Sequence, residues 1–135
     1  MEEKTVPMQE ALTIRNRAIF TAFVDQLYTR KDVRGAFETY VSPDYIQHNP
    51  EISDGRDAAI NFLVPMFSAP DARFDVKRVL VDGEFAAVHL NGRLDASGLG
   101  VAVMDLYRFQ QGRIVEHWDA IQPVTLSEAN AHPFF

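Results

Sequence analysis

The sequence predicts an α+β fold, in which helices come first and an antiparallel sheet follows. Apolar residues recur at helical spacing up to about residue 67, whereas from Ala72 onward apolar and polar residues alternate as they do in strands. The length of 135 residues suits one core. We therefore expect a single domain over 1–135, with its core at about 9–123 and a C-terminal tail at 124–135.

Three helices are expected before the sheet. Residues 8 to about 30 carry apolar side chains at near-helical spacing, which indicates an amphipathic helix. Asp32 is suited to cap a second helix at 33–41, which ends before Pro43 because proline disfavours a helical residue in front of it. A third helix is predicted at 57–67, bent or shortened by the proline near its end.

Four strands are predicted to form an antiparallel meander. Two dipeptides, Asp82-Gly83 and Gln111-Gly112, are typical of hairpin turns. The strands expected around them are 72–81, 84–94, 101–109 and 113–122. The tail has no clear period and is expected to be flexible or packed down, since Phe134 and Phe135 are too apolar to be purely solvated.

The charge and residue content of the chain restrict the class of its partners. The net charge is −6, from 13 basic and 19 acidic residues, which argues against nucleic acid or an anionic membrane as the main partner. A small molecule or a second copy of the chain is the expected partner. The sequence contains no cysteine and no apolar leader or membrane span, which fits a cytoplasmic location.

The third predicted strand carries one carboxylate in an apolar row. Asp105 shares a strand face with Val103, Tyr107 and other apolar residues. Such neighbours favour a carboxyl group that faces a pocket and can act as a hydrogen-bond donor or proton shuttle. The alternatives are a position at the sheet edge, or an ion pair with an arginine such as Arg93 or Arg108.

On the fourth predicted strand, His117, Asp119 and Ile121 share one face, and Glu116 and Trp118 share the other. Alternation alone does not say which row points inward. The adjacent Asp105 favours the His117 row, because the two rows would then lie side by side in the sheet. A histidine and two carboxylates together can move protons near neutral pH.

The segment YIQHNP at 45–50 looks like the rim of a pocket, with Pro50 fixing the loop. We expect His48 to point into the cavity, and Tyr45 and Asn49 to contact the substrate with Val103, Tyr107 and Ile121. No HxH or HExxH spacing is present, so no metal is expected, and no organic cofactor is implied. A Ser/His/Asp triad is disfavoured because the sequence has no GxSxG elbow.

Four segments carry a family resemblance: YIQHNP, GRDAAINF at 55–62, MDLYRF at 104–109 and GRIVEHWD at 112–119. With these segments, the chain resembles the SnoaL-like proteins of the nuclear-transport-factor-2-like superfamily, a group that includes polyketide-cyclase-like proteins and predicted aldol-condensation catalysts. Ketosteroid isomerases and some epoxide hydrolases are more distant relatives. The resemblance covers roughly residues 9–123.

The resemblance implies a cone-shaped fold, in which a curved antiparallel sheet wraps against the N-terminal helices around a deep apolar cavity. It also implies a homodimer formed through the outer sheet face. In ketosteroid isomerases an aspartate at the place of Asp105 donates a hydrogen bond to the substrate oxygen. Their base precedes a proline, where this chain has Asn49, so that role is missing or has passed to His48.

In SnoaL-like cyclases the essential acid/base is an aspartate on the last long strand, which corresponds to Asp119. The implied mechanism is removal of a proton alpha to a carbonyl by Asp119, with help from His117, while Asp105 or His48 stabilises the enolate. Condensation, cyclisation or isomerisation would follow, on a small apolar carbonyl substrate. The alternatives are a binding protein without catalysis, an epoxide-hydrolase-like enzyme using two carboxylates, and a structural cone filled by phenylalanine.

Overall fold

The computed structural model describes residues 5–135 and confirms the α+β class. The helices are α1 (Val6–Val24), α2 (Val33–Tyr40) and α3 (Arg56–Phe67), and a π-helical turn (Asp25–Thr29) continues α1. The strands are β1 (Val41–Gln47), β2 (Arg73–Asp82), β3 (Phe85–Arg93), β4 (Val101–Gln110) and β5 (Arg113–Pro123).

The sheet has one strand more than the sequence predicts. Its order is β1-β5-β4-β3-β2, with antiparallel neighbours except that β1 runs parallel to β5. The expectation of four purely antiparallel strands is therefore wrong, although the β2 to β5 meander is present. Pro43 is compatible with β1 because it lies in the register irregularity of this edge strand between Val41 and Ile46, where its missing N–H breaks no ladder bond to β5.

The helical boundaries follow from local chemistry. Lys31 has a positive φ of 57°, which separates the first helical stretch from α2. The Asp32 carboxylate accepts a hydrogen bond from the Gly35 N–H at 3.0 Å, so it caps α2 as expected. Helix α2 ends at Tyr40, because Val41 already has extended backbone and begins β1.

The core lies between the helices and the inner face of the sheet, and it is rich in aromatic rings. The ring of Tyr107 on β4 lies 5.5 Å from Phe20 and 5.3 Å from Phe23, both on α1. All three side chains are almost fully buried. This packing holds α1 against β4 and so fixes the inner face from which the polar residues of β4 and β5 project.

The outer face of the sheet carries an apolar row. Cross-strand pairing places Leu80, Ala87, Leu106 and Trp118 side by side on successive strands β2 to β5. Leu80 and Leu106 are exposed. This outer row lies on the face opposite Asp105.

The C-terminal tail packs partly against the outer face near β2 and β3. The Phe135 ring lies 5.4 Å from the ring of His89, and the Lys77 ammonium lies 5.0 Å above it. The end of the tail is therefore packed against the sheet, which is one of the two forms expected from the sequence.

None of the described helices is both long enough and apolar enough to cross a membrane.

Candidate active site

A cavity of about 480 Å³ lies between the helices and the inner face of the sheet. Its walls are mostly apolar, and they include Leu27, Phe62, Leu63, Met66, Phe67 and Leu90. No lysine or arginine is among the described residues that line it. An open cavity of this volume disfavours the interpretation of the protein as a structural cone filled by phenylalanine.

Strands β4 and β5 bring three titratable side chains together on the cavity wall. Asp105 pairs across the sheet with Asp119, and Tyr107 pairs with His117. The His117 Nε2 atom lies 2.9 Å from Oδ1 of Asp105 and 4.0 Å from Oδ2 of Asp119. The three side chains are only 7 to 13% exposed, so their mutual electrostatic interactions are weakly screened.

His117 is held by hydrogen bonds at both ring nitrogens. Its Nδ1 atom lies 2.8 Å from Oε1 of Gln47, and its Nε2 atom bonds Asp105 as described above. Gln47 stands beside His117 because β1 pairs in parallel with β5 at this point. The imidazole therefore cannot rotate without breaking two bonds in a buried site.

Asp105 is linked on its other side to two buried tyrosines. The Tyr28 hydroxyl donates to Oδ2 of Asp105 at 2.6 Å and lies 2.8 Å from the Tyr107 hydroxyl. Since Tyr28 gives its single proton to Asp105, Tyr107 donates to Tyr28. Burial and, after it, the Asp105 charge raise the pKa of Tyr28 and Tyr107 well above the usual value, so both stay protonated donors at neutral pH.

Asp119 is oriented by the segment after β1. The Asn49 amide nitrogen donates to Oδ2 of Asp119 at 2.8 Å. Within the described part of the chain, no donor reaches Oδ1 of Asp119. One carboxylate oxygen of Asp119 is therefore available to accept a proton from a molecule in the cavity.

The expectation that His48 points into the cavity is wrong. His48 lies on the opposite face of the sheet, where its ring stacks on Trp118 at 4.8 Å and donates to Glu116 at 2.7 Å. The bond from His48, followed by that from Arg108, lowers the pKa of Glu116. The alternation of β1 explains the placement, because the backbone bond from the His48 N–H to the His117 carbonyl continues the pairing beyond Gln47.

All five residues expected to contact substrate line the cavity: Tyr45, Asn49, Val103, Tyr107 and Ile121. Their roles, and the catalytic roles of Asp105, His117 and Asp119, stay predictions. Sequence reasoning missed Gln47 and Tyr28. The period of two through Tyr45 and Asn49 could have indicated Gln47, and Tyr28 lies in the π-helical turn, a form frequent at functional sites.

The same cluster offers ligand atoms for a metal ion. Asp105, His117 and Asp119 each present one such atom, and these atoms lie within 4.8 Å of one another. Imidazole and carboxylate ligands suit zinc, manganese or iron. The absence of a metal from the active protein stays a prediction that a chelator can test.

The fold and the site together define a class: an α+β protein whose open, mostly antiparallel sheet and helices enclose an apolar cavity with an acid/base cluster on its wall. The sequence from 20 to 117 matches the family model of the SnoaL-like domain. This match spans most of the chain, and the protein therefore belongs to the SnoaL-like family. The chain has no significant match among curated proteins.

Several solved structures share this fold. A protein of unknown function from Mesorhizobium loti, described as similar to nuclear transport factor 2, is 23% identical, with 82% of this chain and 93% of that chain covered and a TM-score of 0.67. A protein from Kribbella flavida suggested to be a ketosteroid isomerase is 21% identical, with 91% and 87% covered and a TM-score of 0.69.

A third similar structure, from Acidithiobacillus ferrooxidans, is of a protein suggested to be a polyketide cyclase. It is 15% identical, with 79% of this chain and 87% of that chain covered and a TM-score of 0.61. Identities this low support a common fold and leave the reaction of this protein to be argued from its own residues.

Proposed function

We propose that the protein is a cofactor-independent enzyme that removes a proton alpha to the carbonyl group of a small, neutral, apolar molecule. The observation that carries this proposal is the convergence of Asp105, His117 and Asp119 on the wall of an apolar cavity. A base and a proton donor a few ångströms apart are what enolisation requires.

Each side chain has a place in the proposed reaction. Asp119 takes the α-proton on its unbonded oxygen, and electron density moves to the carbonyl oxygen. The Nε2–H of His117, which bonds Oδ1 of Asp105, is shared with the carbonyl oxygen in a three-centre hydrogen bond as negative charge develops there. The 4.0 Å between the His117 nitrogen and the Asp119 oxygen allows both groups to reach one carbonyl compound.

Two outcomes can follow enolisation. The enolate carbon can attack a second carbonyl, which forms a new carbon–carbon bond in an aldol condensation or a cyclisation, and a lyase would run this step in reverse. Alternatively, the proton returns to a different carbon, which is an isomerisation. Both preserve the proton balance of the site, since the proton taken by Asp119 is given back to the product.

Charge and volume restrict the substrate class. Two carboxylates face the cavity, and no described lysine or arginine lines it, so an anionic substrate would be repelled and left without a counterion. The volume of about 480 Å³ is in the range of cavities for small organic ligands. A neutral ketone or aldehyde fits both restrictions.

Proton exchange tests this proposal without knowledge of the natural substrate. A panel of neutral ketones is incubated with the protein in D₂O, and loss of the α-proton signals is followed by NMR. We expect Asp119→Asn to slow the exchange at least about 100-fold, the usual contribution of a general base. Asp75→Asn, which alters an exposed carboxylate paired with Lys77, is the matched control. The exchange is expected to persist in EDTA.

The outcomes separate the competing functions. Equal exchange rates in wild type and Asp119→Asn would refute Asp119 as the base. Ketones that shift protein resonances but never exchange would favour a binding protein without catalysis. An epoxide hydrolase is less well supported, because hydrolysis by two carboxylates in that group uses an arginine, and none is found among the described cavity residues.

We also propose that the protein forms a homodimer through the outer face of the sheet. The apolar row Leu80, Ala87, Leu106 and Trp118 supports this, because apolar side chains contiguous across four strands, with Leu80 and Leu106 exposed, are typical of association surfaces. A cytoplasmic location stays a prediction.

A further inference from the structure

We infer that Gln47 is a positioning residue that fixes the tautomer of His117, so that the His117–Asp105 pair serves as the proton donor and Asp119 as the only base. The inference rests on the proposed function for its chemical meaning. Its structural half, the protonation of His117 Nδ1, is independent of any substrate.

The orientation of the Gln47 side chain is determined by its neighbours. Its Oε1 atom accepts a hydrogen bond from the backbone N–H of Asn49 at 3.0 Å. A backbone N–H can only donate, so the atom facing it must be the amide oxygen and not the amide nitrogen. The same oxygen lies 2.8 Å from Nδ1 of His117. An amide oxygen can only accept, and Nδ1 must therefore carry a proton.

Protonation of Nδ1 then limits what Nε2 can do. The Nε2 atom lies 2.9 Å from Oδ1 of Asp105, a hydrogen bond that requires one proton between the two atoms. That proton makes the pair either an imidazolium with a carboxylate or a neutral imidazole with a carboxylic acid. In both forms His117 has no free lone pair, so it cannot be the base.

The far side of Asp105 limits where this proton can lie. Oδ2 of Asp105 accepts from Tyr28, which in turn accepts from Tyr107. Both oxygens of Asp105 are therefore engaged in hydrogen bonds, and the proton beside His117 lies between Nε2 and Oδ1. A substrate oxygen next to Nε2 can share this proton in a three-centre hydrogen bond.

Asn49 gives Asp119 a donor, whereas Gln47 gives His117 an acceptor. The Oδ1 atom of Asn49 accepts from the backbone N–H of Glu51 at 2.9 Å, which directs the Asn49 amide nitrogen to Asp119. An amide nitrogen can only donate, so Oδ2 of Asp119 accepts in this bond. Two successive inward residues, Gln47 and Asn49, therefore place opposite hydrogen-bonding groups against two neighbouring side chains.

The first experiment is a ¹⁵N NMR measurement of the histidine rings in the free wild-type protein. We expect His117 Nδ1 to show the chemical shift of a protonated nitrogen at neutral pH. His48→Gln, on the outer face, helps to assign the spectrum and should leave the His117 signals unchanged. An unprotonated Nδ1 at neutral pH would overturn the inference, whether or not any variant folds.

Two substitutions test Gln47 itself. Gln47→Leu removes the acceptor, and we expect Nδ1 to lose its proton while Nε2 keeps one. We expect ketone exchange to slow about 10- to 100-fold, by analogy with the loss of an outer-shell partner of a metal-bound histidine. Gln47→Glu keeps an acceptor oxygen and should retain the Nδ1 proton. An unchanged tautomer in Gln47→Leu would overturn the inference.

The readouts distinguish this inference from the proposed function. If Nδ1 is protonated and the tautomer depends on Gln47, but no ketone exchanges, the proposed reaction fails while the assignment of Gln47 as the residue that fixes His117 stands. If ketones exchange and Asp119→Asn abolishes the exchange, but Gln47→Leu leaves both tautomer and rate unchanged, the inference fails and the proposed function stands.

Discussion

Substitution of Tyr28 by phenylalanine tests the buried hydrogen-bond chain that supports Asp105. The hydroxyl of Tyr28 is shared by two partners, 2.6 Å from Oδ2 of Asp105 and 2.8 Å from the hydroxyl of Tyr107. Tyr28→Phe leaves one charged acceptor and one buried hydroxyl without a partner. At about 1 to 3 kcal/mol for each buried group left unpaired, we expect the free energy of unfolding to fall by about 3 kcal/mol.

The Tyr28→Phe/Tyr107→Phe double mutant measures the interaction energy between the two hydroxyls. Tyr107→Phe alone deprives Tyr28 of a donor but leaves the bond to Asp105 intact, so it should cost only about 1 kcal/mol. In the Tyr28→Phe background, the Tyr107 hydroxyl is already unpaired, and its removal should cost nothing or stabilise the protein. The two substitutions should therefore differ from additivity by about 1 to 2 kcal/mol.

Urea denaturation of the four proteins at one fixed protein concentration measures this coupling, because any dimer makes stability concentration-dependent. Additive effects within about 0.3 kcal/mol would refute the hydrogen bond between the two hydroxyls. A Tyr28→Phe variant as stable as the wild type would refute the chain to Asp105.

Two further predictions concern the protein as a whole. Burial raises the pKa of Tyr28, Tyr45 and Tyr107, so their contribution to stability is fully present below the unfolded value of about 10 and is lost as pH rises above it. Tyrosinate absorbance from these residues should therefore appear together with unfolding in an alkaline titration. A separate earlier rise from these three residues would contradict their burial. Leu106→Lys on the outer face should convert a dimer to a monomer in light scattering, whereas Leu126→Lys in the exposed tail should not. A dimer that persists in Leu106→Lys, or a monomeric wild type, would contradict the proposed interface.

The sequence predicts local features of this fold well and long-range ones poorly. The Asp32 cap, the two hairpin turns and the alternation of β4 depend on neighbours close in the chain. Strand β1 depends on parallel pairing of Gln47 with His117, which are 70 residues apart in the sequence. A proline that ends a helix and a proline in an edge strand look the same in sequence, so Pro43 predicts the end of a helix and gives no sign of the strand.

The same distinction explains the error at His48. As a loop residue, His48 can point in any direction, and a histidine near a pocket is an attractive candidate for catalysis. Once β1 is recognised as a strand, its side chains alternate, and the inward positions belong to Tyr45 and Gln47. The polar segment at 45–50 thus contributes to the site through the two amides that orient His117 and Asp119.

The placement of His117 and Asp119 beside Asp105 depends on one irregularity that alternation cannot reveal. Near the turn, Gln110 pairs with Arg113 and Phe109 with Ile114, and this register would place Asp105 opposite Trp118. Farther from the turn, the register shifts by one residue between Phe109 and Arg108, so that Arg108 pairs with Glu116 and Asp105 with Asp119. A bulge in β5 therefore decides which row faces the cavity. Without it, the outward-facing tryptophan row would occupy the site, because a slip of one residue turns every side chain of a strand to the other face.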